Sequence, residues 1–305
     1  MDPVLESLIS PFSRSQFFDN AWPKVPFVTH GLDESIRELK ALPMLQSREA
    51  MLKTWPRTVQ VHLPDVRDES SAFDATPDVA RSKFADGMAL LFNNVEKESL
   101  VLQSWLARLR RELGLPTATY SRCMVYATPD GKGTAPHFDQ NINFVLQLHG
   151  TKTWWLAPNT HVENPTQRFT IGQPLDPELA SYVEGEMPTA MPGLLDGKAQ
   201  KIVLKPGSML FVPRGFWHST SAEGEALALN FTFSQPTYVD LFTAALRSRL
   251  TLSPAWRELA DGVTSKDEDR RALAQNRLDE LLIELVHDLP NWEAADILAA
   301  TEDLT

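Results

Sequence analysis

Residues 134–159, TAPHFDQNINFVLQLHGTKTWWLAPN, decide the fold of this chain. Side chains on a strand alternate between two faces. Counting from His137, the odd positions are His137, Asp139, Asn141, Asn143, Val145 and Gln147. The even positions are Phe138, Gln140, Ile142, Phe144, Leu146 and Leu148. One face is mostly polar and the other mostly apolar. In a simple sandwich the polar face would meet bulk water. In a small barrel it lines a wet cavity while the apolar face packs outward. His137 and Asp139 together on the polar face favour the cavity.

A histidine and an aspartate two residues apart are a weak signal alone, because chance supplies the pair often. Residues 204–233, LKPGSMLFVPRGFWHSTSAEGEALALNFTF, supply a third candidate ligand. Gly207 turns the chain, a short apolar strand follows, Pro213 and Gly215 turn it again, and His218 opens the next strand. This reads as a hairpin that holds His218 opposite His137 and Asp139. Two imidazoles and one carboxylate on one face of a metal leave coordination positions open, the pattern of a non-heme Fe(II) oxygenase. The alternative for His218 is a hydrogen-bonded core histidine beside Trp217. His30, His62, His149, His161 and His287 have no partner motif and read as structural or surface residues.

From about residue 119 to 235 short strands alternate with turn residues, as in an all-β sandwich or barrel. The expected strands are 120–128, 136–148, 152–158, 200–204, 208–213, 216–221 and 226–233. Residues 159–199 interrupt them with Pro-rich, mixed-charge sequence, an excursion beside the barrel mouth. Residues 1–116 read as a helix-rich region with occasional strands, packing on the barrel. A helix follows Ser13, strands cover 26–31 and 57–64, and a helix with Leu102, Leu106, Leu109 and Leu113 stops at Gly114 and Pro116. Residues 64–78 read as loop. The region 236–305 is helical, and Ala274, Leu278, Leu281, Leu282, Leu285 and Leu289 form one stripe. It reads as a helix packed onto the barrel or as a dimer contact.

The chain has 305 residues, 43% hydrophobic and 23% charged, enough for a sizeable core. Its net charge of −11 argues against nonspecific nucleic-acid binding, which needs a basic surface. It is compatible with a basic substrate. The single cysteine, Cys123, excludes an intramolecular disulfide and reads as a small buried residue suited to a reducing compartment. No basic N-terminal leader precedes an apolar stretch, and no segment reaches the roughly 20 apolar residues of a membrane span. A soluble cytoplasmic protein is expected.

The ordered motifs resemble the JmjC-type, cupin-fold 2-oxoglutarate oxygenases, and within them the ribosomal-oxygenase branch. They also resemble the asparaginyl hydroxylase that inhibits hypoxia-inducible factor. The resemblance runs from about residue 8 to 235. SPFSRSQFFDNAWPKVPFVTHG looks like the branch's opening segment, and GMALLFNNVEKESLVLQSWLARLRRELGLP like its pre-barrel helix. YATPDGKGTAPHFDQNINFVLQLHGTKTWWLAP and LKPGSMLFVPRGFWHST look like its two metal motifs. The resemblance implies a double-stranded β-helix (jelly-roll) core over 117–235 with flanking helices. It implies Fe(II) held by His137, Asp139 and His218, and 2-oxoglutarate as cosubstrate.

The resemblance gives Lys152, fifteen residues after His137, to the distal carboxylate of 2-oxoglutarate. The other reading of Lys152 is an exposed turn lysine. Thr134 matches a position where relatives add a hydroxyl to that carboxylate. Asn143 and Asn230 match amides near the cosubstrate, or satisfied barrel amides. Tyr126 and Arg122 share a strand face and either touch substrate or pack. Ser208 stands where the branch commonly has Asp after Pro-Gly, a turn position that leaves the metal site intact. Met124 replaces a small polar residue of several relatives, which puts the substrate in question. The residues after 240 match no module of the branch.

The expected activity is hydroxylation of a C–H bond, of a protein or peptide side chain or else of a free amino acid or biosynthetic small molecule. Competing readings are a metal-binding cupin sensor without turnover, and N-methyl-lysine demethylation. A homodimer through the C-terminal helices is a further expectation.

Overall fold

The computed structural model describes residues 3–62 and 72–302. The described chain divides into two compact units. The larger takes residues up to Leu115 and Tyr120–Ser234; the smaller takes Pro116–Thr119 and residues from Gln235 onward.

The larger unit carries eleven described strands: β1 (Phe27–Thr29), β2 (Val59–His62), β3 (Phe73–Ala75), β4 (Ala89–Asn93), β5 (Tyr120–Thr128), β6 (His137–Phe138), β7 (Ile142–Ala157), β8 (Phe169–Thr170), β9 (Gln200–Leu204), β10 (Met209–Val212) and β11 (Trp217–Ser234). Every pairing is antiparallel. The main path runs β1-β10-β7-β11-β5-β4-β2-β3, with β9 on β7, and β6 between β11 and β8.

Two long strands, β7 and β11, serve both walls of the barrel. Residues 142–149 of β7 pair with 227–233 of β11, and residues 151–157 pair with 217–223. Between these halves the register shifts, and the two strands turn together. Gly150 makes the turn possible. Its φ is +68°, and a Cβ there would lie 2.1 Å from the Glu225 carbonyl oxygen. The sequence predicts one strand on each side of each of these turns; the structure joins each pair into one bent strand.

The expected hairpin before His218 does not form. β10 pairs with β1 and β7, not with β11, so residues 213–216 cross between walls. His218 reaches its place by direct cross-strand pairing with His137. The expected continuous strand 136–148 is also broken at Asp139–Asn141, because β6 and the first half of β7 pair with opposite ends of β11.

The apolar face of β7 packs outward as expected. Phe144, Leu146 and Leu148 join a core with Phe17, Phe211, Phe231 and the helix Leu100–Glu112, which buries Leu102, Trp105, Leu106 and Leu109. The helix Arg14–Asn20 starts at Ser13, whose hydroxyl accepts from the Gln16 amide while Gln16 returns the bond. Part of the expected loop 64–78 lies outside the described residues. The rest is ordered: β3 pairs with β2, and a helix spans Pro77–Ala85. Pro77 sits in the first turn, where proline starts a helix rather than breaking one.

In the smaller unit, Thr237 and Asp240 form a capping box that opens the helix Tyr238–Leu250. Arg249 bonds both oxygens of Asp288, at 2.5 Å each. The helix Glu268–Asp288 buries none of its side chains fully; of the expected stripe, Ala274, Leu281 and Leu285 are half-buried and Leu278 and Leu282 are exposed. Among the described residues no helix is long and apolar enough to cross a membrane.

Gly150→Ala should destabilise the protein by roughly 2 kcal/mol or more, from a left-handed backbone penalty of about 1–2 and an overpacking cost of similar size. A fall of several degrees in Tm by circular dichroism checks this; an unchanged Tm contradicts the bend.

Candidate metal centre

The bend turns the inner faces of both halves of β7 and β11 onto one cavity. Asn143, Val145, Lys152 and Trp154 line it from β7, and His218, Thr220, Ala228 and Asn230 from β11. Within each half of a strand the two lining residues are two apart, as the period of a strand requires. Tyr126, Thr134, His137, Asp139, Arg168 and Val212 complete the lining.

His137, Asp139 and His218 each offer one ligand atom, and these lie within 4.8 Å of one another, the one such metal-capable cluster among the described residues. His137 Nε2 is 4.0 Å from Asp139 Oδ1, and His218 Nε2 is 3.7 Å from Asp139 Oδ2. These gaps are too long for hydrogen bonds. The Nδ1 atoms are engaged elsewhere: His137 Nδ1 with the Ala135 carbonyl at 2.7 Å, and His218 Nδ1 with the Phe216 carbonyl at 2.9 Å. A carbonyl only accepts, so Nδ1 carries the proton and Nε2 keeps its lone pair for a metal.

Protonation agrees with this. Burial, then the charges of Arg168 and His218, push the His137 pKa well below its usual value, so the imidazole is neutral. Burial alone would raise the Asp139 carboxyl. The Arg168 guanidinium, His137, His218 and the Asn143 hydrogen bond outweigh it and hold the carboxyl at about 2. The donors are therefore in their metal-binding forms near neutral pH.

Lys152 is 5% exposed, so it is not the surface turn lysine of the alternative reading. Its ammonium donates to Thr128 Oγ1 at 2.8 Å, and burial lowers its pKa to about 8. Thr134 shares a 3.0 Å hydroxyl–hydroxyl bond with Thr220. Gly133 lets the strands approach there: a Cβ on it would lie 1.7 Å from the Thr220 carbonyl. Asn143 serves Asp139 directly, donating from Nδ2 to Oδ2 at 3.3 Å. Its own oxygen accepts from Asn230 at 3.1 Å and Thr232 at 2.8 Å. Asn230 Oδ1 and Trp154 Nε1 are buried without a hydrogen-bond partner. Such atoms are costly unless a ligand or water meets them. The cavity thus has three metal donors, a buried cation and orphaned polar atoms, which fits a divalent ion with a small diacid.

Tyr126 lines the cavity, whereas Arg122 does not; its guanidinium sits 5.9 Å from the Tyr120 ring. Ser208 caps its turn, accepting from the Lys205 amide and bonding His30 Nδ1 at 2.8 Å. Cys123 is buried, and burial with Glu96 beside it raises its pKa well above the usual value. Five cavity residues escaped the sequence reading, the apolar Val212 and Ala228 and three that bond or stack on the site. Trp154 stacks on His218 with ring centroids 5.6 Å apart, Thr220 pairs with Thr134, and Arg168 donates to Asp139 Oδ1 at 3.2 Å. For Arg168 the available signal was the alternation Arg-Phe-Thr-Ile inside the insert.

Residues 107–241 match the JmjC domain. The chain is 36% identical over 287 residues to the uncharacterized protein YxbC of Bacillus subtilis, covering 92% of this chain and 86% of YxbC. It is 27% identical to ribosomal oxygenase 1 of Bos taurus over 80% of this chain and 35% of that protein, so it spans about a third of that relative's length. Among solved structures it resembles Escherichia coli YcfD in complex with cobalt and 2-oxoglutarate, with TM-score 0.52 and 17% identity, over 90% of this chain and 67% of YcfD. The chain belongs to the JmjC-domain family, the 2-oxoglutarate-dependent oxygenases with an Fe(II) centre.

Titration with Co(II) should show one ion bound per chain. His137→Ala and His218→Ala should each weaken binding by more than about a hundredfold, beyond the usual cost of losing a partner outside the ligand set. Wild-type affinity in both variants contradicts the site.

Proposed function

We propose that this protein hydroxylates a C–H bond of a protein or peptide side chain, with 2-oxoglutarate and dioxygen consumed together. The single observation behind this reading is the meeting, in one cavity, of His137, Asp139 and His218 with the buried ammonium of Lys152. A relative named histidyl-hydroxylase and lysine-specific demethylase, and others named ribosomal oxygenase, support a protein side chain as the target.

His137, Asp139 and His218 would hold the Fe(II). The ion with its diacid supplies the oxidative chemistry when bound, converting 2-oxoglutarate, dioxygen and R–H into succinate, carbon dioxide and R–OH. The chain supplies placement. Lys152, steadied by Thr128, offers a charge-assisted bond to the far carboxylate of the diacid, with the Thr134 hydroxyl beside it. The buried oxygen of Asn230 would accept a hydrogen bond from a bound donor, ligand or water. Trp154 closes one side of His218 and, with Val145, Val212 and Ala228, keeps that side of the cavity dry. Tyr126 meets the substrate.

The exposed Leu278, Leu282, Ile283 and Val286 on the helix Glu268–Asp288 support association with a second copy of the chain. The buried, protonated Cys123 suits a reducing, cytoplasmic setting.

Given Fe(II), dioxygen, 2-oxoglutarate and a peptide library, the protein should release succinate and add one oxygen to a peptide. Oxygen gained only by a metabolite would move the target to a small molecule. Loss of a methyl group would make the reaction demethylation. Succinate from no candidate, with 2-oxoglutarate bound but never consumed, would leave a sensor. Lys152→Ala should mainly raise the 2-oxoglutarate requirement.

The pH dependence follows from Lys152. A diacid favours its charged form, which the free protein holds below about pH 8. Affinity of the Co(II)-loaded protein for 2-oxoglutarate should be level below that pH. Above it, affinity should fall by up to about tenfold per pH unit. A level affinity up to pH 9.5, read by calorimetry, contradicts the role of Lys152.

A further inference from the structure

We propose that Arg168, carried by the insert between β7 and β9, is a positioning residue for the Asp139 carboxylate, which makes the insert a working part of the metal centre. This rests on the reading of His137, Asp139 and His218 as a metal site.

The register of β8 carries the argument. β8 pairs antiparallel with β6, His137 opposite Thr170 and Phe138 opposite Phe169. One step further along that register, Arg168 stands opposite Asp139. Its Nη1 donates to Asp139 Oδ1 at 3.2 Å, and its Nε lies 3.4 Å from Thr170 Oγ1. On the other side Asn143 donates to Oδ2. Each carboxylate oxygen thus has its own donor, one from β7 and one from the insert. A carboxylate held at both oxygens cannot swing away from the two imidazoles. The side chains of Arg168 and Asp139 are only 33% and 18% exposed, so this pair is not one of the solvent-screened surface kind.

The platform under Arg168 is fixed at several points. Ile171 donates its backbone N–H to the Pro136 carbonyl at 3.0 Å. Arg214, in the crossing before β11, donates to the carbonyls of Pro165 and Asn164 at 2.8 and 2.9 Å. Gly215 lies so close to Pro165 that a Cβ would come within 2.9 Å of its ring. From the insert, Val162, Phe169, Leu179 and Met191 pack in one cluster with Phe138 and Trp217. Phe138 and Trp217 are the chain neighbours of metal-site residues, so the same cluster sets the guanidinium and the ligands it serves. Partners that orient a ligand tune how a metal is held.

The test uses the full chain and Co(II) alone, reading affinity by calorimetry and ligand geometry by the visible spectrum. Arg168→Met should weaken Co(II) binding by roughly 10–100-fold and alter the spectrum, with the metal-free circular dichroism unchanged. Arg168→Lys, which keeps a charged donor, should restore most of the affinity and the wild-type spectrum. Wild-type or tighter binding by Arg168→Met with an unaltered spectrum overturns the proposal. If that variant does not fold, Arg168→Gln is read against the same two outcomes. Wild-type protein that takes up no Co(II) refutes the metal site itself, a different result from variants that match a wild type that binds.

Discussion

The centre of this protein depends on one cross-strand pair, His137 opposite His218. Cross-strand partners share a face of the sheet, so the pairing alone brings two imidazoles together, with ring centroids 4.0 Å apart. Each ring is then turned by its own strand, through Nδ1 and the carbonyl two residues earlier. Asp139 joins from the position two beyond His137. A one-residue slip between β6 and β11 would send one imidazole to the opposite face. The clustering of Phe138, Phe169 and Trp217 behind the ligand strands opposes that slip.

The second constraint is the joint bend of β7 and β11. Flat strands would present Asn143 and Lys152 along one open surface. Bent at Gly150, they place the metal donors and the buried ammonium around a common space. Burial then sets the charges. It keeps His137 neutral and pushes the Asp139 carboxyl up, a push that Arg168 and the two histidines outweigh. The same desolvation leaves Lys152 short of an anion: its observed partner is a neutral hydroxyl, and its pKa has fallen toward 8. A small dianion bridging the metal site and Lys152 satisfies both ends.

Period-two alternation made much of this legible. Asn143 and Val145 face the cavity and Phe144 the core because strand parity holds through the first half of β7; beyond Gly150 it switches, and Lys152 and Trp154 face the cavity. The ordered motifs around His137 and His218, with the two segments before them, carried the family resemblance, and the resemblance gave Lys152 its place. The hairpin reading failed because Pro213 and Gly215 mark a turn without saying which strand the chain pairs with next. Arg168 was missed for a related reason. β8 is two residues long, and its meaning lies in its register with β6, which local sequence does not encode. The stripe on Glu268–Asp288 gave the helix correctly, but an amphipathic pattern cannot name what covers it.

The most direct test of the central claim is crystallography of the protein with Mn(II) and 2-oxoglutarate, reading anomalous scattering at the metal. The account predicts one strong peak bonded to His137 Nε2, His218 Nε2 and an Asp139 oxygen, with the far carboxylate of 2-oxoglutarate on Lys152 Nζ. A metal bound elsewhere, or a diacid that leaves Lys152 on Thr128 alone, would contradict it.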